Sequence, residues 1–273
     1  MKELSSKKLN VGCGYDYRQG YVNVDLHERH GPDVVANVLE LHTFASGHYK
    51  ELIAQDVLEH VTRADVRRAL FEWNRVLAVG GRLFVRTTEL GGLIRQLEAA
   101  ENQGLHDQER LIQNVFGTQA YDGDFHLAGF TERILRFYLW EAGFEVETLN
   151  LYVGTYLDVW ARKARNLGFE RVAEPSANAA WAPSVFTQLM GRAPSAAELE
   201  TALATLEQAR GREAFLERLL LSDERKTAMM ARAPTFPGTL HQPSLLRRVA
   251  RQVKHTVKSA LGAGARWRPD IAR

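Results

Sequence analysis

The first 165 residues alternate short apolar runs with segments of helical periodicity, the pattern of an α/β protein. Runs at Lys8 to Val11 and Tyr21 to Leu26 end in turn residues and predict two strands. Leu52 to Leu58 predicts a third strand. The segment from Arg63 to Leu77 carries apolar residues at helical spacing, and Gly80-Gly81 is predicted to stop this helix.

The alternation continues to about residue 165. Arg82 to Thr87 predicts a strand, and Glu132 to Ala142 predicts a helix that ends before Gly143. Phe144 to Leu149 and Tyr156 to Ala161 predict two final strands. Strands alternating with helices that end at glycines are typical of a mostly parallel sheet with helices on both faces, so we predict this α/β fold for residues 1–165.

The second half of the chain has a different composition. Residues 166–183 are rich in Ala, Ser, Asn and Pro without a sustained period, and they are predicted to be a linker. Helical patterns at 184–190, 195–208 and 212–221 predict a small all-helical domain over residues 184–232. Ser195 and Glu198 have the spacing of a capping box at the start of its second helix.

The last 41 residues, 233–273, form a basic tail. It carries eight Lys and Arg residues against the single acidic residue Asp270, whereas the whole chain has a formal net charge of only +2. Leu245 to Leu261 has an apolar stripe at helical spacing with basic residues mainly elsewhere, followed by Trp267. We predict an amphipathic helix within residues 245–268 for an anionic membrane surface. Docking of this helix on its own protein or on a partner is the open alternative.

Composition limits the classes of protein to which this chain can belong. With 45% hydrophobic residues in 273, the chain can build a core of ordinary size, and disorder as the dominant state is excluded. The only cysteine, Cys13, cannot form an intrachain disulfide, which fits a reducing, cytoplasmic setting. Residues 1–8 are polar and no 18-residue apolar stretch occurs, so we expect neither a secretion signal nor a membrane span.

The segment that ends the first predicted strand contains the strongest functional signal. Gly12, Cys13 and Gly14 form a turn that lets the backbone approach a ligand, at the edge where open α/β sheets bind nucleotides. Asp25 ends the next strand, where a carboxylate can accept both hydroxyls of a ribose. The dinucleotide fingerprint is not present, because Tyr17 stands where a third glycine is expected and Asp25 follows too closely.

Several motifs in a fixed order resemble the class I S-adenosylmethionine-dependent methyltransferases, with a compressed first crossover. The motifs are Lys8 to Gly14, Gly20 to Asp25, Val57-Leu58-Glu59-His60-Val61, Arg75 to Leu83, and Leu139 to Phe144. The resemblance implies a Rossmann-like domain over residues 1–165 with S-adenosylmethionine as cofactor.

The same resemblance implies roles for individual residues in binding the cofactor. Gly12 and Gly14 would pass beside its methionine part, Asp25 would hold the ribose, and Asn37 and Val38 would flank the adenine. Cys13 and Asp56 complete the predicted cofactor-binding set. The sequence departs from the family at Asn37, where Asp is frequent, and at Lys50-Glu51-Leu52, where an acidic residue usually begins the strand. The resemblance therefore implies the adenine contacts less directly than the contacts to the methionine and ribose parts.

Two histidines and a carboxylate are candidates for catalysis. His60 follows the strand whose end should face the reacting methyl group, and an imidazole can take a proton from an attacking hydroxyl at neutral pH. Asp124 and His126 belong to an ionisable loop, residues 121–126, expected at the same edge. Each of these residues has a structural alternative, as a helix cap or a polar helix entrance. A metal held by Asp56, His60, Asp124 and His126 is disfavoured, and none is expected.

The helical domain suggests an acceptor. Leu189 to Ser195, followed by two helices and Leu221 to Glu224, is similar to a small bacterial helical domain that often accompanies surface-polysaccharide and glycosylation enzymes. This resemblance implies O-methylation of a sugar in a bacterial surface polysaccharide or its precursor. Alternatives are a small-molecule or nucleic-acid methyltransferase and a non-catalytic cofactor-binding scaffold. We expect a saccharide or glycolipid partner and no nucleic acid, and the oligomeric state is left open.

Overall fold

A computed structural model of the chain describes residues 6–121 and 123–236. The described residues belong to one compact unit. The predicted amphipathic helix within residues 245–268 lies outside the described residues, as does most of the basic tail.

Seven strands form a sheet with the order β3-β2-β1-β4-β5-β7-β6. Their bounds are β1 (Lys8–Val11), β2 (Val22–Asp25), β3 (Val34–Val35), β4 (Tyr49–Gln55), β5 (Leu77–Thr88), β6 (Phe144–Tyr152) and β7 (Tyr156–Lys163). Strands β1 to β5 pair in parallel, whereas β7 lies antiparallel between β5 and β6. The sheet confirms the predicted Rossmann-like, mostly parallel fold, and its parallel strands place their carboxyl ends along one edge.

Eight α-helices are present in the described part of the chain. Their bounds are α1 (Val66–Val76), α2 (Leu90–Glu98), α3 (Leu105–Phe116), α4 (Glu132–Glu141), α5 (Asn178–Met190), α6 (Ala196–Leu206), α7 (Gly211–Leu221) and α8 (Asp223–Arg232). The predicted capping box is formed, since Ser195 and Glu198 each accept from the other's backbone N–H. Helices α2, α3 and α8 and the short strand β3 were not predicted from sequence.

Two predicted boundaries within the sheet domain are wrong. The third predicted strand, Leu52 to Leu58, is β4 and begins three residues earlier, at Tyr49; a 3-10 turn already covers Leu58–His60. Helix α1 ends at Val76 because Leu77 is extended, and Gly80-Gly81 lie inside β5 instead of stopping the helix. Gly81 is needed there because a Cβ atom would come within 2.8 Å of the Ala78 carbonyl oxygen.

The predicted linker over residues 166–183 is not a simple linker. It contains a 3-10 turn, Phe169–Arg171, and its last six residues begin α5. Trp181 is buried against Phe215, and its indole N–H donates to the Arg171 carbonyl oxygen at 2.7 Å. Burial of this large aromatic side chain is the tertiary reason that the segment is helical, which its Ala- and Pro-rich composition did not reveal.

The helical domain is joined to the sheet domain through buried charged groups. The Arg67 guanidinium on α1 donates to both carboxylate oxygens of Glu141 on α4, at 3.0 and 2.6 Å. The same guanidinium donates to the Leu220 carbonyl oxygen at 2.9 Å, near the end of α7. Arg67 thereby donates to a carbonyl group at the carboxyl end of α7 that lacks a partner within the helix, and Glu141 neutralises the charge of Arg67.

The described part of the chain contains no helix that combines the length and the apolar character required to cross a bilayer.

Candidate functional site

A cavity of about 480 Å³ opens at the carboxyl ends of β1, β2 and β4. This volume lies in the range of small-molecule sites, roughly 300–1,000 Å³. All seven predicted cofactor-binding residues line it, together with His60. These residues are Gly12, Cys13, Gly14, Asp25, Asn37, Val38 and Asp56. The structure thus brings the predicted set to one place, while their roles toward a ligand stay predictions.

The two glycines of the first turn are required for different reasons. Both adopt a left-handed backbone, with φ of 62° at Gly12 and 50° at Gly14. A Cβ atom on Gly12 would come within 2.6 Å of Cγ2 of Val57, so this position is closed by packing. A Cβ atom on Gly14 would meet no atom within 4 Å. Gly14 therefore borders open space on the cavity side, where a ligand can approach the backbone.

The Asp25 carboxylate fastens the Gly14 turn to the end of β2. Its Oδ2 accepts from the Gly14 N–H at 2.8 Å, and its Oδ1 accepts from the His27 N–H at 2.8 Å. His30 Nδ1 lies 2.9 Å from the same Oδ1. Burial disfavours the charged form, but these hydrogen bonds and the neighbouring His30 outweigh it and lower the pKa of Asp25. The carboxylate is thus ionised at neutral pH, with most of its acceptor positions used within the protein.

The adenine-side candidates lie on the loop after β3. The Asn37 side-chain oxygen accepts from the Leu39 N–H at 3.0 Å, and the Val38 carbonyl oxygen accepts from the Trp73 indole at 3.1 Å. Trp73 is fully buried in α1 and anchors this loop to the sheet domain. The loop is therefore fixed along one wall of the cavity.

The contacts of Cys13 are those of a residue that holds two strands together. It is buried, and its N–H donates to the Val24 carbonyl oxygen at 3.0 Å, which ties β1 to β2. Burial, reinforced by the Asp25 charge, raises the pKa of the Cys13 thiol to about 11. The thiol is therefore protonated and unreactive at neutral pH.

Asp56, at the end of β4, adopts an unusual backbone conformation for a residue that is not glycine. Its φ is 53°, and its N–H donates to the Arg86 carbonyl oxygen of the neighbouring strand at 3.0 Å. The side chain faces the cavity, and desolvation there raises the pKa of the Asp56 carboxyl despite the nearby Arg86 guanidinium. Left-handed residues of this kind are costly, and they concentrate at functional sites.

His60 presents one ring nitrogen as a base. Its Nδ1 lies 3.2 Å from the Phe125 carbonyl oxygen. A carbonyl oxygen only accepts, so Nδ1 carries the proton and Nε2 of the neutral ring has a free lone pair. His60 is one of the residues that line the cavity.

Glu59 holds the two loops of the site together and was not identified from sequence. Its side chain is buried and accepts from the Thr87 hydroxyl at 2.8 Å, and burial raises the pKa of its carboxyl to about 8. Its carbonyl oxygen accepts from the N–H groups of Leu127 and Ala128, at 2.6 and 3.1 Å. Glu59 thereby joins the segment before α4 to β4 and β5, and the signal that could have identified it is an acidic residue within an otherwise apolar motif.

The loop of residues 121–126 lies at the predicted edge, since Tyr121 and Gly123 line the cavity, but His126 and Asp124 are not among the lining residues. The His126 ring packs edge-on against His60, with centroids 4.8 Å apart, and its Nδ1 lies 3.0 Å from the Asn114 carbonyl oxygen. Burial and the adjacent His60 lower the pKa of His126. Asp124 accepts a short hydrogen bond from the Thr118 hydroxyl. The geometry favours His60 as the base and His126 as its neighbour.

Besides His60, aromatic rings line the cavity, and of these only Tyr121, in the predicted loop of residues 121–126, was singled out from sequence. The His30 ring packs against Tyr15 and His27, with centroid separations of 4.7 and 5.5 Å. Tyr121, from the loop before α4, packs against His27 at 6.4 Å, and the Arg29 guanidinium lies 4.4 Å from its ring centroid. The density of His and Tyr in residues 15–30 was the available signal.

Within residues 6–121 and 123–236, no group of three or more His, Cys, Asp or Glu side chains is placed to hold a metal ion.

Comparison with known proteins connects this geometry to a family. Residues 4–85, which span β1 to most of β5, match the family model described as a methyltransferase domain. The match agrees with the expected S-adenosylmethionine-dependent methyltransferase and its cofactor, and its range includes all the residues that line the cavity except Tyr121 and Gly123. It does not reach the helical domain, whose resemblance is not confirmed. No curated protein matches the chain.

Solved structures of methyltransferases match a little over half of the chain at low sequence identity. A methyltransferase from Methanosarcina mazei is 19% identical, covering 57% of this chain and 91% of its own, with a TM-score of 0.43. One from Mesorhizobium loti is 18% identical, covering 59% and 93%, with a TM-score of 0.41. The 1,6-didemethyltoxoflavin-N1-methyltransferase of Burkholderia thailandensis, solved with S-adenosylhomocysteine, is 17% identical, covering 58% and 71%, with a TM-score of 0.39.

Proposed function

We propose that this chain is an S-adenosylmethionine-dependent methyltransferase that methylates a hydroxyl group of a saccharide. The observation that carries the proposal is the position of His60, which lines the same cavity as the Gly12–Gly14 turn and Asp25 and whose Nδ1 lies against the Phe125 carbonyl oxygen, so that Nε2 is the nitrogen that can accept a proton. A cofactor site and a base for the acceptor are therefore adjacent. The methyltransferase-domain match over residues 4–85 supports the choice of cofactor.

The cavity residues fit this cofactor. Gly14 leaves room for a ligand against its backbone, and the ionised Asp25 places a negative charge beside the glycine turn, which favours a cationic ligand. Gly12, Gly14 and Asp25 would hold the methionine and ribose parts, and Asn37 and Val38 would border the adenine. When bound, the cofactor supplies a methyl group that is carried by a positively charged sulfur. After the transfer, this sulfur is part of a neutral thioether, which is the leaving group.

The protein's part in the reaction is alignment and removal of one proton. His60 Nε2 accepts the hydroxyl proton as the acceptor oxygen gains the methyl group, and the imidazolium then returns the proton to water. The Phe125 carbonyl oxygen keeps Nδ1 protonated and fixes the ring, because it accepts from that nitrogen. Glu59 supports this arrangement by holding the segment that contains Phe125.

The saccharide acceptor is supported by the resemblance of the helical domain, residues 184–232, to a domain found with surface-polysaccharide enzymes. The proposed acceptor is a sugar of a bacterial surface glycan or its lipid- or nucleotide-linked precursor, methylated in the cytoplasm. The basic tail is proposed to hold the enzyme at the inner membrane. Flotation with anionic vesicles tests the tail, comparing the full chain with a chain that ends at Pro243; equal failure of both to float would remove the membrane role.

Labelled cofactor identifies the acceptor directly. The purified full chain is incubated with methyl-labelled S-adenosylmethionine and an extract of cells that lack its gene, in which unmethylated acceptor should accumulate. Label is expected in a glycosidase-sensitive fraction, and mass spectrometry of glycans from cells with and without the gene should show the same methyl group. Label in nucleic acid, or in a small molecule without sugar, would contradict the saccharide proposal.

A further inference from the structure

Exposed apolar side chains are concentrated in one stretch of the described chain. Most of the large ones lie between residues 90 and 153, on α2, α3, the segment before α4 and the β6–β7 turn. Patches of this kind on a protein surface commonly mark binding sites. The side chains are those of Leu90, Ile94, Leu105, Ile112, Phe116, Tyr121, Phe125, Leu127, Tyr152 and Val153, which we call the apolar acceptor face.

The two helices of this face have apolar residues on more than their buried side. Helix α2 buries Leu93, yet Leu90 and Ile94, one turn apart, are 37% and 47% exposed. Helix α3 buries Leu111, whereas Ile112 and Phe116 are 49% and 55% exposed. Each helix thus has apolar side chains outside the face that it buries against the domain.

The face is continuous with the candidate reaction centre. Phe125 belongs to it, and its carbonyl oxygen holds His60. Phe116 belongs to it as well, and its carbonyl oxygen accepts from the His126 N–H at 3.0 Å. The β6–β7 turn closes against α2, since the Gly154 carbonyl oxygen leaves no room for a Cβ atom on Gly92.

The side chains between the candidate reaction centre and the apolar acceptor face are polar, and we call them the inner part of this region. The inner part contains Asn114, which contacts the His126 ring and the Tyr156 hydroxyl, the latter at 3.3 Å. It also contains the paired Arg86 and Asp158, with two hydrogen bonds of 2.6 Å. The outer part is the apolar acceptor face. A ligand with a polar head and an apolar body matches this order.

We infer that the apolar acceptor face binds the apolar chain of an amphiphilic methyl acceptor whose polar head lies beside His60. This inference deepens and rests on the proposed function, and it narrows the acceptor to a saccharide linked to a lipid or another long apolar group. A second copy of the chain is a poorer occupant, because charged residues interrupt the face; Arg95, Glu98, Glu109 and Arg110 are exposed on the same two helices.

Calorimetry with an alkyl saccharide tests the inference. The full chain is titrated with dodecyl maltoside below its micelle-forming concentration, and with maltose as the headgroup control. The double variant Ile112→Ser/Phe116→Ser removes apolar area from the face. Val79→Ser is the control. Val79 is apolar and about as exposed as Ile112 and Phe116, but it lies near the start of β5 and is not part of the apolar acceptor face. Circular dichroism checks that each variant is folded.

We expect the wild-type chain and Val79→Ser to bind dodecyl maltoside equally and maltose much more weakly. The double variant should bind dodecyl maltoside at least about 10-fold more weakly. Equal affinity in all three proteins would overturn the inference. So would a wild-type dimer that the double variant converts to monomer in sedimentation, or binding to vesicles without binding to the monomeric amphiphile. S-adenosylhomocysteine is titrated separately, so that loss of the cofactor function is distinguished from loss of this face.

Discussion

The buried ion pair between Arg67 and Glu141 should determine whether the helical domain stays attached to the sheet domain. Both side chains are almost completely buried, at 8% and 0% exposure, and they share two hydrogen bonds. Arg225 of α8 is buried nearby, and desolvation lowers the pKa of its guanidinium to about 10 although Glu141 opposes the shift. Glu141 is thus the acidic partner in a buried group of basic side chains.

Glu141→Gln removes this charge while it keeps the side-chain shape. The Arg67 guanidinium would remain buried with carbonyl oxygens such as that of Leu220 as partners. Leaving one member of a buried ion pair unpaired costs about 3–5 kcal/mol, a large part of the roughly 5–15 kcal/mol that stabilises a typical domain. Because Arg67 lies where α1 meets the end of α7, this loss of stability should also make the helical domain open before the sheet domain.

Urea unfolding followed by tryptophan fluorescence and circular dichroism measures this loss. The two probes should give one transition for the wild-type chain and separated transitions for Glu141→Gln. The control is Arg110→Ala, which breaks an exposed pair with Asp107 and should cost less than about 1 kcal/mol. A loss below about 1 kcal/mol in Glu141→Gln would refute the reasoning. The double variant Arg67→Met/Glu141→Leu should recover part of the stability, because it removes the Arg67 charge together with its partner, although Arg225 then stays buried without Glu141.

Three further predictions concern the candidate site. His60→Gln should lower the methyl-transfer rate roughly 10²- to 10⁴-fold with nearly unchanged cofactor affinity; a parallel loss of both in kinetics and calorimetry would assign it a structural role. Gly14→Val should weaken S-adenosylhomocysteine binding at least about 10-fold in a chain that is still folded, because its side chain enters the open space and a β-branched residue is strained at the left-handed backbone of this position. Burial raises the pKa of Glu59 from its ordinary 4.5 to about 8, so the folded state binds this proton more tightly than the unfolded state. The free energy of unfolding should therefore fall as pH rises from about 4.5 to 8, and Glu59→Gln should flatten this dependence in urea titrations; identical pH profiles would contradict it.

Local sequence patterns were sufficient for several elements. Strand β7 alternates between more and less buried positions, and helices α1 and α4 have apolar residues at helical spacing, whereas the fully or mostly buried strands β1 and β2 were found as short apolar runs that end in turn residues. Helices α2 and α3 were missed because their exposed apolar stripes break the simple division between a buried and a polar face. Helix α5 was partly missed because its formation depends on Trp181 packing against Phe215, a contact between distant segments.

Local sequence patterns also predicted only part of the candidate site. The glycine turn, Asp25 and His60 could be predicted because each follows a strand end, and parallel strands bring their carboxyl ends together. The positions of Asp124 and His126 depend on how the segment before α4 returns to Glu59, which no local pattern specifies. The hydrogen bonds that occupy Asp25 also come from His27 and His30, whose ring arrangement is set by the tertiary structure.

The central claim is that the cavity at the ends of β1, β2 and β4 binds S-adenosylmethionine. Isothermal titration of the full chain with S-adenosylhomocysteine, and in parallel with NAD⁺, tests it without knowledge of the acceptor. We predict one-to-one binding of S-adenosylhomocysteine that Gly14→Val weakens, and no measurable binding of NAD⁺. Preferential binding of NAD⁺, or S-adenosylhomocysteine affinity that Gly14→Val leaves unchanged, would contradict the account.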